Sequence, residues 1–187
     1  MIKIDEKKVV EQTRQWVETF VIGEHLCPFA KIPFSQGRIR FRVSEARQWE
    51  KLLDALVHEL MLLNEAPPEI TETTLLVHPY VLEDFEDYLA FLDRADEVLE
   101  EIDLAGVIQI ASFHPDYRFE DTEIDDPANY TNRSPYQMLH LIREASVEEA
   151  VASHPDPDGV PERNIEHLRA IGLEILKARL DAIKGTN

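Results

Sequence analysis

Three short β-rich runs, at residues 38–43, 73–77 and 106–112, are separated by two long helical patterns. That alternation constrains the fold more than any other feature, because strands joined through helices pair in parallel by right-handed crossovers. Residues 38–43 alternate strictly, with Ile39, Phe41 and Val43 opposite Arg38, Arg40 and Arg42. Ser44 reads as the N-cap of a helix reaching about residue 64, with Trp49, Leu52, Leu56 and Leu60 on its apolar stripe. Pro67-Pro68 forbids its continuation. The second run ends at His78-Pro79-Tyr80. A helix over 82–102 follows, with Phe85, Tyr88, Leu92 and Leu99 turned inward. The third run is nearly continuously apolar, as a buried central strand should be, and ends at Phe113-His114-Pro115-Asp116-Tyr117.

The flanks read as helical. Residues 5–22 carry an amphipathic stripe that Gly23 ends, and residues 24–37 are irregular around Cys27-Pro28-Phe29 and Ile32-Pro33-Phe34. Residues 115–133 hold no convincing element, and loops of that length are often functional. Ser134-Pro135 predicts the start of a helix, Ser146 opens a short one, and residues 154–159 are a turn cluster. A last helix is expected over 161–184. The expectation is a single α/β domain over residues 1–187. It has a small, mostly parallel sheet of three or four strands, helices on both faces and a helical C-terminal part. A fourth strand is sought near 117–119 or 32–34.

Nineteen Lys and Arg against 37 Asp and Glu give a net charge of −18. Neutralising phosphates needs basic surface, so nucleic-acid and anionic-membrane partners are disfavoured. The single cysteine, Cys27, excludes an intrachain disulfide and every Cys-x-x-Cys motif. No stretch approaches the ~20 apolar residues that span a bilayer, and the N-terminus lacks a secretory pattern, so the expected location is cytoplasmic. The six glycines are too far apart for a G-x-G-x-x-G or Walker loop. The acidic run from Asp121 to Asp126 lacks the glycine and final glutamate of an EF-hand.

In an open parallel sheet, ligands bind beyond the carboxyl ends of the strands. That places His78 and His114 at one edge. On a helix opened by Ser134, Tyr136, His140 and Arg143 line up at i, i+4 and i+7. Arg133 and Ser134 stand where helix N–H groups favour an anion, and arginine adds a bidentate fork. The candidate catalytic groups are therefore His114, His140 and His78, with Cys27 as an outside nucleophile. Arg133, Arg143, Ser134, Tyr136 and Tyr117 are the candidate anion-binding groups. The expected function is an enzyme, a hydrolase or group transferase, acting on a small anionic metabolite by histidine acid/base chemistry.

Two other functions stay open. One is a mononuclear metal site using His78, His114 and His140 with Cys27 or Asp116. The other is a non-catalytic acidic domain that binds a basic protein. Each residue also has a plain structural role: turn bonds for the histidines, charge neutralisation for the arginines, a buried small side chain for Cys27. His25, His58 and His167 sit beside helical stripes and carry no signal; His154 lies in a turn. No cofactor is indicated. The terminal helices are a candidate homodimer face.

The string from Phe113-His114-Pro115-Asp116-Tyr117 through Asp126-Pro127-Ala128-Asn129-Tyr130-Thr131-Asn132-Arg133-Ser134-Pro135-Tyr136 resembles a known bacterial family. With Met138-Leu139-His140-Leu141 and Arg143-Glu144-Ala145-Ser146, the chain looks like the domain of unknown function numbered 1415. The likeness extends to Cys27-Pro28-Phe29, His78-Pro79 and His154-Pro155-Asp156-Pro157, and so covers nearly the whole chain. It implies a bacterial, cytoplasmic protein and transfers neither catalytic residues nor a substrate.

Overall fold

The computed structural model describes residues 5–185. Asp5 accepts the Lys7 N–H and caps α1 (Glu6–Trp16), which passes directly into a wider π-type turn over Val17–Ile22. The predicted irregular stretch contains a short helix, α2 (Lys31–Ser35). Strand β1 (Ile39–Val43) leads to α3 (Trp49–Glu65). Ser44 does not cap that helix; its hydroxyl accepts the Ala46 N–H in the turn leaving β1. Strand β2 (Thr73–Val77) matches the second β-rich run. Helix α4 (Phe85–Glu101) is capped by Asp84, which accepts the N–H groups of Glu86 and Asp87. Strand β3 (Ile108–Phe113) follows.

The segment after Ser134 is not a helix but strand β4 (Met138–Arg143). It inserts between β2 and β3, giving the order β1-β2-β4-β3. β1 and β2 are parallel, whereas β4 is antiparallel to both of its neighbours. The three expected strands therefore point one way, but the sheet is mixed and mostly antiparallel rather than mostly parallel. The fourth strand lies neither at 117–119 nor at 32–34; Ile32, Pro33 and Phe34 belong to α2. Residues 115–133 contain a 3-10 turn over Pro127–Thr131. Helix α5 (Glu144–Ser153) is short. The expected final helix is two, α6 (Val160–Ile171) and α7 (Leu173–Lys184). They are broken at Gly172, whose φ of +88° and ψ of 152° suit glycine alone.

Helices cover both sheet faces, as the alternation predicts. On one face Leu76, Leu139, Leu141 and Ile108 pack against Leu52, Leu56 and Leu60 of α3 and Phe91 and Val98 of α4. On the other, Val43, Leu75, Val77 and Met138 pack against Val9 and Trp16 of α1, Phe20, Leu168 of α6 and Leu176 and Leu180 of α7. Each fully buried leucine contributes about 1.5–3 kcal/mol. The arginines of the β1 edge are neutralised. Arg40 grips Glu59 of α3 at 2.7 and 3.0 Å, Arg42 approaches the same carboxylate at 3.6 Å, and Arg38 pairs with Glu72 at 2.7 Å. Among the described residues no helix is long and apolar enough to cross a membrane.

Tyr88 ties α4 to two strands. Its hydroxyl donates to the Met138 carbonyl (2.9 Å) and accepts the Phe113 N–H (3.1 Å), and its ring is wholly buried. Tyr88→Phe removes the hydroxyl that bonds both this backbone donor and this backbone acceptor in the interior. We expect a loss of about 2 kcal/mol in urea unfolding, with faster hydrogen exchange at the Phe113 amide. Unchanged stability and protection would show that water replaces the hydroxyl.

Candidate functional site

His78 follows β2 and His114 follows β3, so both lie beyond the same end of the sheet. The ring of Tyr88 stands beside both, with centroids at 5.8 Å from His78 and 5.1 Å from His114. Phe85 covers His114 at 5.3 Å and Tyr117 lies on Phe85 at 5.4 Å. Both histidines are 0% exposed. His114 is fully used: its Nε2–H donates to the Leu82 carbonyl (3.2 Å), and its Nδ1 accepts the Asp116 N–H (3.0 Å). His78 donates from Nδ1 to the Val81 carbonyl (3.0 Å), while its buried Nε2 has no hydrogen-bond partner among the described residues. Burial lowers both pKa values, that of His78 to about 4. The sequence places this pair at one rim, and there both rings flank Tyr88, buried beneath aromatic side chains.

The third histidine does not join them. β4 alternates sides, so His140 and Arg143 point to opposite faces of the sheet and the expected helical row of Tyr136, His140 and Arg143 does not exist. The Thr73 hydroxyl donates to the Leu141 carbonyl (2.5 Å), so it must accept from the Nε2–H of His140 (2.7 Å). Burial lowers the His140 pKa to about 4. Arg143 donates from Nη2 to the carbonyls of Leu63, Ala66 and Thr71, closing the C-terminal end of α3. Arg133 braces the 115–133 loop, donating to the carbonyls of Tyr117 (3.1 Å) and Ile124 (2.8 Å) and lying over the Tyr130 ring at 5.0 Å. Ser134 is buried and donates to the Tyr136 carbonyl at 2.7 Å. Tyr136 donates to Gln12 Oε1 (2.5 Å), and Gln12 in turn donates to the Lys184 carbonyl (2.8 Å). Burial pushes the Cys27 thiol up, which disfavours a thiolate nucleophile. Among the described residues, no group of three His, Cys, Asp or Glu side chains is placed to hold a metal ion.

A different set of titratable groups faces an open recess. It has a volume of about 320 Å³. One wall is Glu24, His25 and Pro28, just beyond the π-type turn; the other is His154 with Val160, Arg163, Asn164 and His167. The last four are spaced i, i+3, i+4 and i+7, one face of α6. The π-type turn sets the first wall. Gly23 N–H donates to the Glu18 carbonyl (3.1 Å) and Leu26 N–H to the Val21 carbonyl (2.9 Å), both five residues back. His25 is thereby held at φ +57°, a left-handed conformation uncommon outside glycine. Such turns and such backbone concentrate at functional sites. The buried Asn164 clamps the walls together by donating to the Leu26 carbonyl at 2.7 Å. A wider concavity of about 740 Å³ is lined by side chains of α1 from Glu6 to Gln15 and by Glu18 of the π-type turn. Among the described residues it has no opposing wall.

Hydrogen bonds orient two of the three imidazoles. His167 Nε2 lies 2.9 Å from Glu24 Oε2, and Arg179 of α7 holds the other oxygen of that carboxylate. His154 Nδ1 accepts the Asp156 N–H (3.1 Å), so in the neutral ring Nε2 carries the proton; the ring meets Phe29 edge-on at 6.0 Å. Arg163 donates to Asp156 Oδ2 and to the Asp156 carbonyl (3.0 Å).

A family described as a protein of unknown function, DUF1415, matches residues 8–178. The chain belongs to that family. The DUF1415 match takes in both walls of the recess, from Glu24 to His167. No curated protein and no solved structure matches the chain. Two of the strings that carry the likeness, Cys27-Pro28-Phe29 and His154-Pro155-Asp156-Pro157, are far apart in sequence and meet through the Phe29–His154 contact. Those two strings were the available signal for this recess. His25 and His167 gave none, because their approach depends on a π-type turn.

Proposed function

We propose that the recess between residues 24–28 and α6 is the working site of an enzyme, a hydrolase or group transferase, acting on a small anionic metabolite. The observation that carries this reading is the gathering of His25, His154 and His167 around one opening with Arg163. Imidazole is the side chain whose ordinary titration spans neutrality, so it serves as acid or base. A recess of about 320 Å³ is at the small end of metabolite sites. Glu24 accepts from the Nε2–H of His167, which leaves Nδ1 as the nitrogen that takes a proton. His154 offers its Nε2–H, and Arg163 brings the positive charge an oxyanion needs. Pro28 and Val160 supply the apolar part of the lining.

Inorganic phosphate titrated into the protein tests this reading by NMR of the histidine ring nitrogens. The His154 and His167 resonances should move together and saturate, while those of His140, on the sheet, stay fixed. His154→Ala should weaken phosphate binding about tenfold, the effect of one charge-assisted hydrogen bond, without changing urea stability. Ring resonances that ignore phosphate would overturn the reading.

A further inference from the structure

We propose that Asp156 is a built-in competitor for the anion: its carboxylate holds the Arg163 guanidinium that an incoming oxyanion needs, and binding displaces it and frees the 154–159 turn. This rests on the recess being an anion site, and it names how that site is regulated.

Four observations support it. Both terminal nitrogens of Arg163 are engaged by one residue, Nη1 by the Asp156 carboxylate and Nη2 by the Asp156 carbonyl. The same residue uses its N–H to fix the ring of His154. One residue therefore sets both the charge and the proton donor of the outer wall, so its displacement changes both at once. The grip is breakable, because Asp156 and Arg163 are each about half-exposed and ion pairs in that setting are weak and screened by salt. The helix leading into the turn is also lightly held: no side chain of α5 is fully buried, and loosely packed segments are the ones that open at low cost.

Gly159 adds an independent sign of the arrangement. A Cβ there would fall 2.4 Å from Asp156 Oδ2 and 2.5 Å from Arg163 Nη1. The ion pair occupies the space a side chain would fill. The φ of −82° at Gly159 is ordinary, so alanine fits the backbone and only pushes the two side chains apart. The chemistry of the competitor also defines the ligand. A carboxylate that stands in for it selects a compact oxyanion, carboxylate or phosphate, able to take two parallel N–H groups.

The test is inorganic phosphate binding at constant ionic strength, read on the His154 and His167 ring resonances of the whole chain. Asp156→Asn removes the competing charge. Gly159→Ala wedges the pair apart with every charge retained. Both should raise phosphate affinity about fivefold, the scale of a weak exposed ion pair. Asp158→Asn removes an equal charge from the same turn and should leave affinity unchanged. Arg163→Gln should weaken binding at least fivefold. Wild-type binding with both Asp156→Asn and Gly159→Ala within twofold of it overturns the competitor and leaves the anion site standing. An equal rise in Asp158→Asn also overturns it, since bulk charge would then account for the gain. Absence of phosphate-dependent shifts in every protein brings down the anion site and this inference with it.

Discussion

Gly23→Ala should destabilise the protein by about 3 kcal/mol, the range of a backbone clash in a packed element. Helix propensity argues for the opposite sign. Alanine is favoured over glycine by up to about 1 kcal/mol in helical backbone, and the φ of −62° at Gly23 is helical. Close approach reverses that preference. A Cβ at position 23 would lie 2.3 Å from the Thr19 carbonyl oxygen and 2.9 Å from its carbon. Both atoms are backbone and cannot rotate away. Relief requires the π-type turn to tighten or open, which moves Glu24 and His25 away from α6 and strains the bond from Asn164 to the Leu26 carbonyl. The urea midpoint should fall with an unchanged slope, and phosphate binding should weaken together with it. An unchanged or raised midpoint would mean that the wide turn relaxes at no cost and does not fix the inner wall.

Acidification from pH 7 toward 4 should cost about 3 kcal/mol through His78 alone, the equivalent of its depression from 6.5 to about 4. The folded pKa is below the unfolded one, so between those values the unfolded chain binds a proton that the folded chain refuses. Stability is complete above about pH 7, declines as pH falls through 6.5, and reaches its full loss near 4. His140 acts in the same direction and to a similar extent, since burial lowers it to about 4 as well. His114 adds to both, since burial lowers it as well. Relief of the net charge of −18 works the other way, but carboxylates take up protons mainly below about pH 5. The window from about 6.5 to 5 therefore isolates the histidines. His78→Asn keeps an N–H for the Val81 carbonyl without a titrating ring, and should flatten the decline in that window. Equal wild-type urea midpoints at the two ends of the window would refute the assignment.

Residues 73–77 were legible because a five-residue β-branched and leucine run sits between a proline pair and His78-Pro79. The common direction of β1, β2 and β3 followed from the helices between them. β4 was not legible. Met138-Leu139-His140-Leu141-Ile142-Arg143 is rich in good helix formers and follows Ser134-Pro135, a sound helix start. Tertiary setting overrode that preference. Flanked by β2 and β3 and covered on both faces, the segment needs an apolar run rather than an alternating one, and short apolar runs do not distinguish strand from helix. The site divided along similar lines. The placing of His78 and His114 at one rim came from strand direction, which periodicity reveals. Whether that rim is open to solvent depends on Phe85, Tyr88 and Tyr117 packing over it, which periodicity does not reveal. The recess of His25, His154 and His167 depends on the π-type turn and on the left-handed backbone of His25, both invisible to a reading of regular elements.

The place of β4 also governs the order of events at the ribosome. Its two neighbours are both translated earlier, and they cannot hydrogen-bond to each other across the space it will occupy. Until residue 143 emerges, β2 carries one naked edge and β3 carries two, each a template for a stray strand from another nascent chain.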